Sequence, residues 1–217
     1  MLGLTTQQAA FILQGAGWTI LLSLLGFIGG CLVGIPLTLG LTAKTAAARS
    51  LSSLFINTVQ GIPLPILMFA VYFGAGATGY NPPTLIAAGL AMTIYSAVFL
   101  AEIWKGCVRA VPKTQWEAAE GLAFSRFDIW WLIILPQAVQ IATPPTIGFF
   151  VQMVKNTSYA VVLAFAELTY SARAVNNTNN EPFLIFTIAG VIYFLICYPL
   201  SNLSKRLERA VAIKGRT

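Results

Sequence analysis

The 217-residue chain has no histidine, 7 acidic and 13 basic residues. Histidine-based catalysis and histidine metal sites are therefore excluded. Cys31, Cys107 and Cys197 lie far apart, with neither metal-ligand nor disulfide spacing. There is no phosphate loop of the type G-x-x-x-x-G-K-[ST], so ATP is not bound and hydrolysed in that way. What remains is Lys155-Asn156-Thr157-Ser158, at the end of a long uncharged run. If that run lies in a bilayer, a central lysine costs on the order of 2.5–3.5 kcal/mol, so the charge is a functional candidate. Lys155 can pair with a carboxylate, and Asn156, Thr157 and Ser158 add short hydrogen-bonding groups. Alternatively, a straight helix from Ile134 carries Lys155 roughly 30 Å, to an interface where a snorkelling lysine is ordinary. Glu102, three residues before Lys105, is either half of an i,i+3 ion pair or a gate or ammonium contact. Pro63 and Pro65 free the carbonyls of Val59 and Gly61, and Pro144 and Pro145 those of Gln140 and Ile141. Such breaks can build a polar site at membrane depth, which adds Gln60, Gly61 and Ile62. Glu167 reads as structural and Arg173 as solvated.

The elements that must position these groups are membrane spans. Hydrophobic residues make up 57% of the chain and charged residues 9%, against about a quarter charged in a soluble domain. The net charge of +6 is scattered between apolar runs rather than gathered on one face, which argues for a bilayer and against nucleic acid. A spanning helix needs about 20 apolar residues. The uncharged stretches predict five spans, near residues 15–41, 51–73, 84–105, 134–155 and 183–204, in a single domain over 1–217. With the N-terminus outside and the C-terminus inside, every cation but Lys155 and Arg173 falls on the inner side, Lys214 and Arg216 included. Trp130 and Trp131 suit an inner aromatic belt and Trp18 an outer one. The N-terminus lacks the basic region of a cleaved signal, and residues 4–14 are expected as a short outer surface helix. Too many residues separate Arg126 from Pro182 for one crossing. The surplus, Asn156–Tyr170, is expected to fold back as a broken or re-entrant segment, tolerated only against protein or water. Asn176–Asn180 reads as an outer polar loop.

The inner loop, residues 106–130, carries the most specific pattern. Thr114-Gln115-Trp116-Glu117 and Ser125-Arg126-Phe127-Asp128 are both capping-box patterns, which predict a short helix, a turn and a second helix. Small residues beside an acid, in Glu117-Ala118-Ala119, suit a docking knob for a soluble protein. An amphipathic surface helix without a partner is the plainer alternative.

Glu117-Ala118-Ala119 followed by Ile133-Ile134-Leu135-Pro136 has the spacing of the loop signature of ATP-binding cassette (ABC) importer permeases. Further strings are Gly61-Ile62-Pro63-Leu64, Ala101-Glu102-Ile103, Leu135-Pro136-Gln137-Ala138, Lys155-Asn156-Thr157-Ser158 and Ala166-Glu167-Leu168. Over residues 15–210 the chain resembles the polar amino-acid branch of that family. The resemblance implies an all-α membrane protein with the type I importer permease fold and no enzymatic activity of its own. It also implies two ABC ATPase subunits that bind ATP and Mg, a second permease (identical or paralogous), an external amino-acid-binding protein and a bacterial inner membrane. This chain itself would hold no cofactor or metal. Glu117, Ala118, Ala119, Gly121, Ala123, Leu135 and Pro136 would couple to the ATPase. The signature glycine falls on Ala123, so either the turn slips to Gly121 or alanine takes its place. Gln60 stands where the branch commonly has arginine, Tyr95 where it has asparagine and Asn156 where it has aspartate. Losing that acid while keeping Lys155 leans the site toward glutamate, aspartate or glutamine. A secondary transporter or channel working without an ATPase is the alternative; it would usually carry more acids within its spans.

Overall fold

The computed structural model describes residues 4–214, with side chains as far as Val211; Arg216 lies outside the described residues. The chain forms helices α1 (Thr6–Thr42), α2 (Ala46–Gln60), α3 (Leu64–Ala77), α4 (Thr84–Ala110), α5 (Lys113–Gly121), α6 (Arg126–Asp128), α7 (Leu135–Asn156), α8 (Leu168–Asn179) and α9 (Pro182–Lys214). A π-helical turn, Ile129–Ile134, joins α6 to α7, and a 3₁₀ segment, Thr157–Leu163, follows α7. No strand occurs among the described residues. Four helical stretches are long and apolar enough to cross a membrane, and the bent pair α2–α3 makes a fifth.

Helices α1 and α4 run parallel and form the spine. Gly26 faces Met92, Gly30 faces Ser96, and Gly34 faces Ala97 and Leu100. A Cβ at Gly26 would lie 2.6 Å from that of Met92, so only glycine admits the neighbouring helix so closely. The opposite face of α1, with Leu21, Leu24, Ile28 and Leu32, is exposed, as a lipid-facing surface requires. Helix α7 runs antiparallel to both α4 and α9: Trp104 bonds Thr146, Phe99 stacks near Phe149, and Ser204 bonds the Pro144 carbonyl. The C-terminal ends of α1, α4 and α9 therefore share one end with the start of α7. Lys44, Lys105, Arg126 and Lys205 gather there, and we call it the basic end.

Several expectations need correction. Residues 4–14 are not a separate surface helix. Thr5 and Gln8 form a reciprocal capping box, and α1 continues unbroken into the first span. The stretch 51–73 does not merely kink: α2 and α3 meet at 102°. Pro63 caps α3 and lacks the N–H that would continue α2, and it pushes Ile62 away from helical angles. Thr114 does not cap α5, which starts at Lys113 after Pro112 without any side-chain cap. Ser125 does cap α6, accepting from the Asp128 amide at 3.2 Å. Asn176–Asn179 is helical rather than loop. The α8 helix holds Ala172 and Val175 against Ile12, Ala16 and Ile185. Gln8 and Asn179 also exchange amide hydrogen bonds, at 2.7 and 3.2 Å.

Candidate functional site

At the far end of α7 the fold-back segment exists, and its geometry follows from the chain. The α-helix ends at Asn156, the 3₁₀ turn packs against α3, and Ala164 reverses the chain at φ 55°. Phe165 then packs edge-on to Trp18, their ring centres 5.8 Å apart.

Lys155 is exposed, on the last turn of α7. Its neighbours Val151 and Val154 pack against Cys197, well inside the uncharged stretch of α9. A straight span counted from Ile134 carries Lys155 to an interface. The Ser204–Pro144 bond aligns the end of that uncharged stretch with Pro144 instead, ten residues later and about 15 Å along the helix. Lys155 is therefore level with the interior of α9 rather than with its Pro182 end.

Asn156 is only 3% exposed. Its Oδ1 accepts from Gln152 at 3.0 Å, while its Nδ2 makes no well-formed hydrogen bond, with the Tyr95 side chain of α4 as its neighbour. Leaving a buried donor unpaired costs roughly 1–3 kcal/mol, so this amide is open to any acceptor that enters. Tyr95 and Phe99 (ring centres 4.5 Å apart), then Phe99 and Phe149 (5.9 Å), form an aromatic wall. Thr157 is fully buried and donates to the Val154 carbonyl, whereas Ser158 is half-buried and donates to that of Lys155. The structure thus sets Asn156 beside Tyr95, with exposed Lys155 and buried Thr157 on either side of it in the chain.

The other candidates stand apart. Gln60 and Gly61 are exposed at the α2–α3 break, and Ile62 packs on the main core. No hydrogen bond among the described residues joins them to Lys155. Glu102 pairs with Lys105 at 3.0 Å, about two helical turns from Tyr95 and toward the basic end, as the ion-pair reading requires. Sequence reasoning missed Phe99 and Phe149, which look like ordinary apolar residues of a span.

At the basic end, α5 is held by Ala119, which is 1% exposed among Val111, Ile129, Ile134 and Ala138. Ala119 is therefore an anchor rather than part of a free surface. Glu117, Ala118, Gly121 and Ala123 are exposed. The helix ends in a Schellman turn: Phe124 N bonds Ala119 O at 3.2 Å and Ala123 N bonds Glu120 O at 3.0 Å. The left-handed residue is Ala123, at φ 58°, so the turn does not slip to Gly121. Leu135 is half-buried and Pro136 exposed at the start of α7. Without an N–H on Pro136 the α-helical register cannot be kept, and the Leu135 amide reaches the Trp130 carbonyl five residues back.

Residues 26–213 match the family of binding-protein-dependent transport system inner membrane components, and the chain belongs to that family. It is 28% identical to the probable amino-acid ABC transporter permease protein YckA of Bacillus subtilis, over 96% of this chain and 92% of that one. It is 29% identical to the glutamine transport system permease protein GlnP of Escherichia coli, over 93% of each. Among solved structures, a crystal structure of an amino acid ABC transporter with histidines superposes with a TM-score of 0.89 at 27% identity, covering 94% of this chain and 95% of that one. The inward-facing MetNI methionine ABC transporter superposes at 0.79 and 17% identity, which speaks for the fold alone. The chain is thus a membrane-embedded transport component of an ABC system, not an enzyme. Its family works with a binding protein and with separate ATPase subunits.

Proposed function

We propose that this chain is the transmembrane subunit of an ATP-driven importer of polar amino acids in a bacterial inner membrane. It pairs with a second permease, identical or paralogous, and with two ABC ATPases that hold the ATP and Mg. An external binding protein delivers the solute. The observation that carries this reading is the 0.89 superposition on an amino acid ABC transporter over nearly the whole of both chains. The N-terminus lies outside and the C-terminus inside, because the basic end then faces the cytoplasm. There the exposed Glu117, Ala118, Gly121 and Ala123 enter the ATPase groove. Ala119 anchors the knob, and Leu135 and Pro136 pass its motion into the fourth span. ATP-driven closure shifts the permease pair between inward- and outward-open states only if the ATPase grips the two states differently.

The solute site is Tyr95, Asn156, Thr157 and Ser158 with Lys155, approached from the break at Gln60, Gly61 and Ile62; Glu102 serves as an ion pair on the way to the basic end. An amide donor without a well-formed hydrogen bond, beside an exposed lysine, favours solutes that bring acceptors, such as glutamate, aspartate or glutamine. Affinity purification with mass spectrometry checks the assembly by recovering an ATPase, a permease and a binding protein. Uptake into vesicles checks the rest: glutamine, glutamate or aspartate should be preferred and ATP required. Preference for arginine or lysine sinks the substrate reading, and uptake without ATP sinks the importer reading in favour of a secondary transporter.

A further inference from the structure

Glu167 is fully buried, and the site above does not use it. Its Oε1 accepts from the Tyr170 amide at 2.8 Å. Its Oε2 accepts from the Thr169 amide and from the Tyr193 hydroxyl, each at 2.9 Å. That hydroxyl lies 3.0 Å from Thr169 Oγ1 as well.

Capping α8 explains only part of this arrangement. A cap needs the two backbone amides, and a short exposed serine or aspartate serves as well. Burying a whole carboxylate requires every acceptor to be filled, a demand that simple capping does not make. The additional partner, Tyr193, belongs to α9. It packs with Val151 and Val154, level with the start of the fold-back segment. Other contacts hold the far end of the segment. The Leu168 amide donates to Thr19 Oγ1 at 3.2 Å, and Gly15 lets α1 lie against Ser171 and the Glu167 carbonyl. Between these anchors the chain is a 3₁₀ helix closed by a left-handed alanine, whose backbone bonds have poorer geometry than those of the flanking α-helices.

We infer that Glu167 and Tyr193 are positioning residues for transport: their hydrogen bond clamps the fold-back segment to α9 and so sets where Asn156 and Thr157 meet the solute. The inference rests on the proposed solute site, and its test separates the two. The assay is equilibrium binding of radiolabelled glutamine to the complete detergent-solubilised permease–ATPase complex without binding protein, with glutamate and aspartate as further probes. Tyr193→Phe keeps the ring and removes the hydroxyl. Glu167→Asp keeps a good helix cap but is one methylene too short to reach Tyr193. Each variant should weaken binding roughly tenfold, the effect of losing a charge-assisted hydrogen bond. The double variant should be no weaker than either alone, because both remove one clamp. Melting temperatures should stay within a few degrees of the parent.

Wild-type affinity in Glu167→Asp would mean that capping is all Glu167 does, and the inference falls. A lowered melting temperature with unchanged affinity in both variants overturns it in the same way. If Glu167→Asp fails to assemble, Tyr193→Phe decides alone. A parent complex that binds none of the three amino acids overturns the solute site itself, and the clamp with it.

Discussion

The α1–α4 seam and the segment from Asn156 to Phe165 contribute to the same main core, yet they are built on opposite principles. In the seam, regular helices touch through glycine. Polar groups there are few and satisfied: buried Ser96 has the carbonyls of Gly26 and Met92 within 2.6 and 2.7 Å. In the fold-back segment the backbone is irregular and alanine sits at positive φ. A buried amide N–H there makes no well-formed hydrogen bond. A bilayer gives no water to mend such faults, so they persist only where neighbouring protein or an aqueous path supports them. Tight packing gives α1 and α4 a single arrangement. The fold-back segment carries the groups proposed above to meet a solute.

Breaking the contrast on the functional side should have the largest effect. Lys155→Ala should leave no uptake above background while the ATPase still co-purifies. Because the side chain is exposed, stability should move by less than about 0.5 kcal/mol. Uptake that survives removes Lys155 from the site. On the packed side, Gly30→Val forces a branched side chain into Ser96 and toward the Ala97 amide, 3.1 Å from the added Cβ. A loss of about 3 kcal/mol is expected, read as a lower melting temperature or loss of monodisperse protein in detergent. An unchanged melting temperature would show that the seam yields. Ser96→Ala is gentler, costing about 1 kcal/mol for one buried hydrogen bond in the same thermal assay. Smallest, and of opposite sign, is Ala164→Gly. It relieves a left-handed alanine at φ 55°, and after glycine's greater entropy loss it should stabilise by about 0.5 kcal/mol. Adding an isopropyl group in one region and deleting a methyl in the other thus sharpens the contrast from both ends. A destabilised Ala164→Gly would show that the fold-back segment is limited by something other than backbone strain.

Legibility in the sequence followed the range of the interaction concerned. The run without charge up to Ala43, the gap between Arg126 and Pro182 and the acid-alanine loop are local patterns, and they conveyed the class of protein and the fold-back segment. The break at Pro63 was legible in the sequence, since local rules give proline's missing donor, but the 102° at which α2 and α3 meet was not. Thr114 matched a capping pattern and does not cap, because Pro112 had already set the start of the helix. Asn176–Asn179 looked like loop by composition and is helix by contact with α1 and α9.

By itself the sequence determined that this is a helical membrane protein with cations gathered at one end and an acid-alanine loop among them. Hydropathy, charge and proline act over a few residues, and a bilayer leaves few ways to satisfy them. Only the tertiary structure decided that Ala123 rather than Gly121 turns the loop, that Ala119 faces inward, and that Lys155 is level with the interior of α9. It alone joined Glu167 to Tyr193, 26 residues later in the chain. Depth and partnership depend on which helices lie alongside one another. That choice is made by the fit of glycine to serine and of α7 to α9, summed over contacts between residues far apart in the chain.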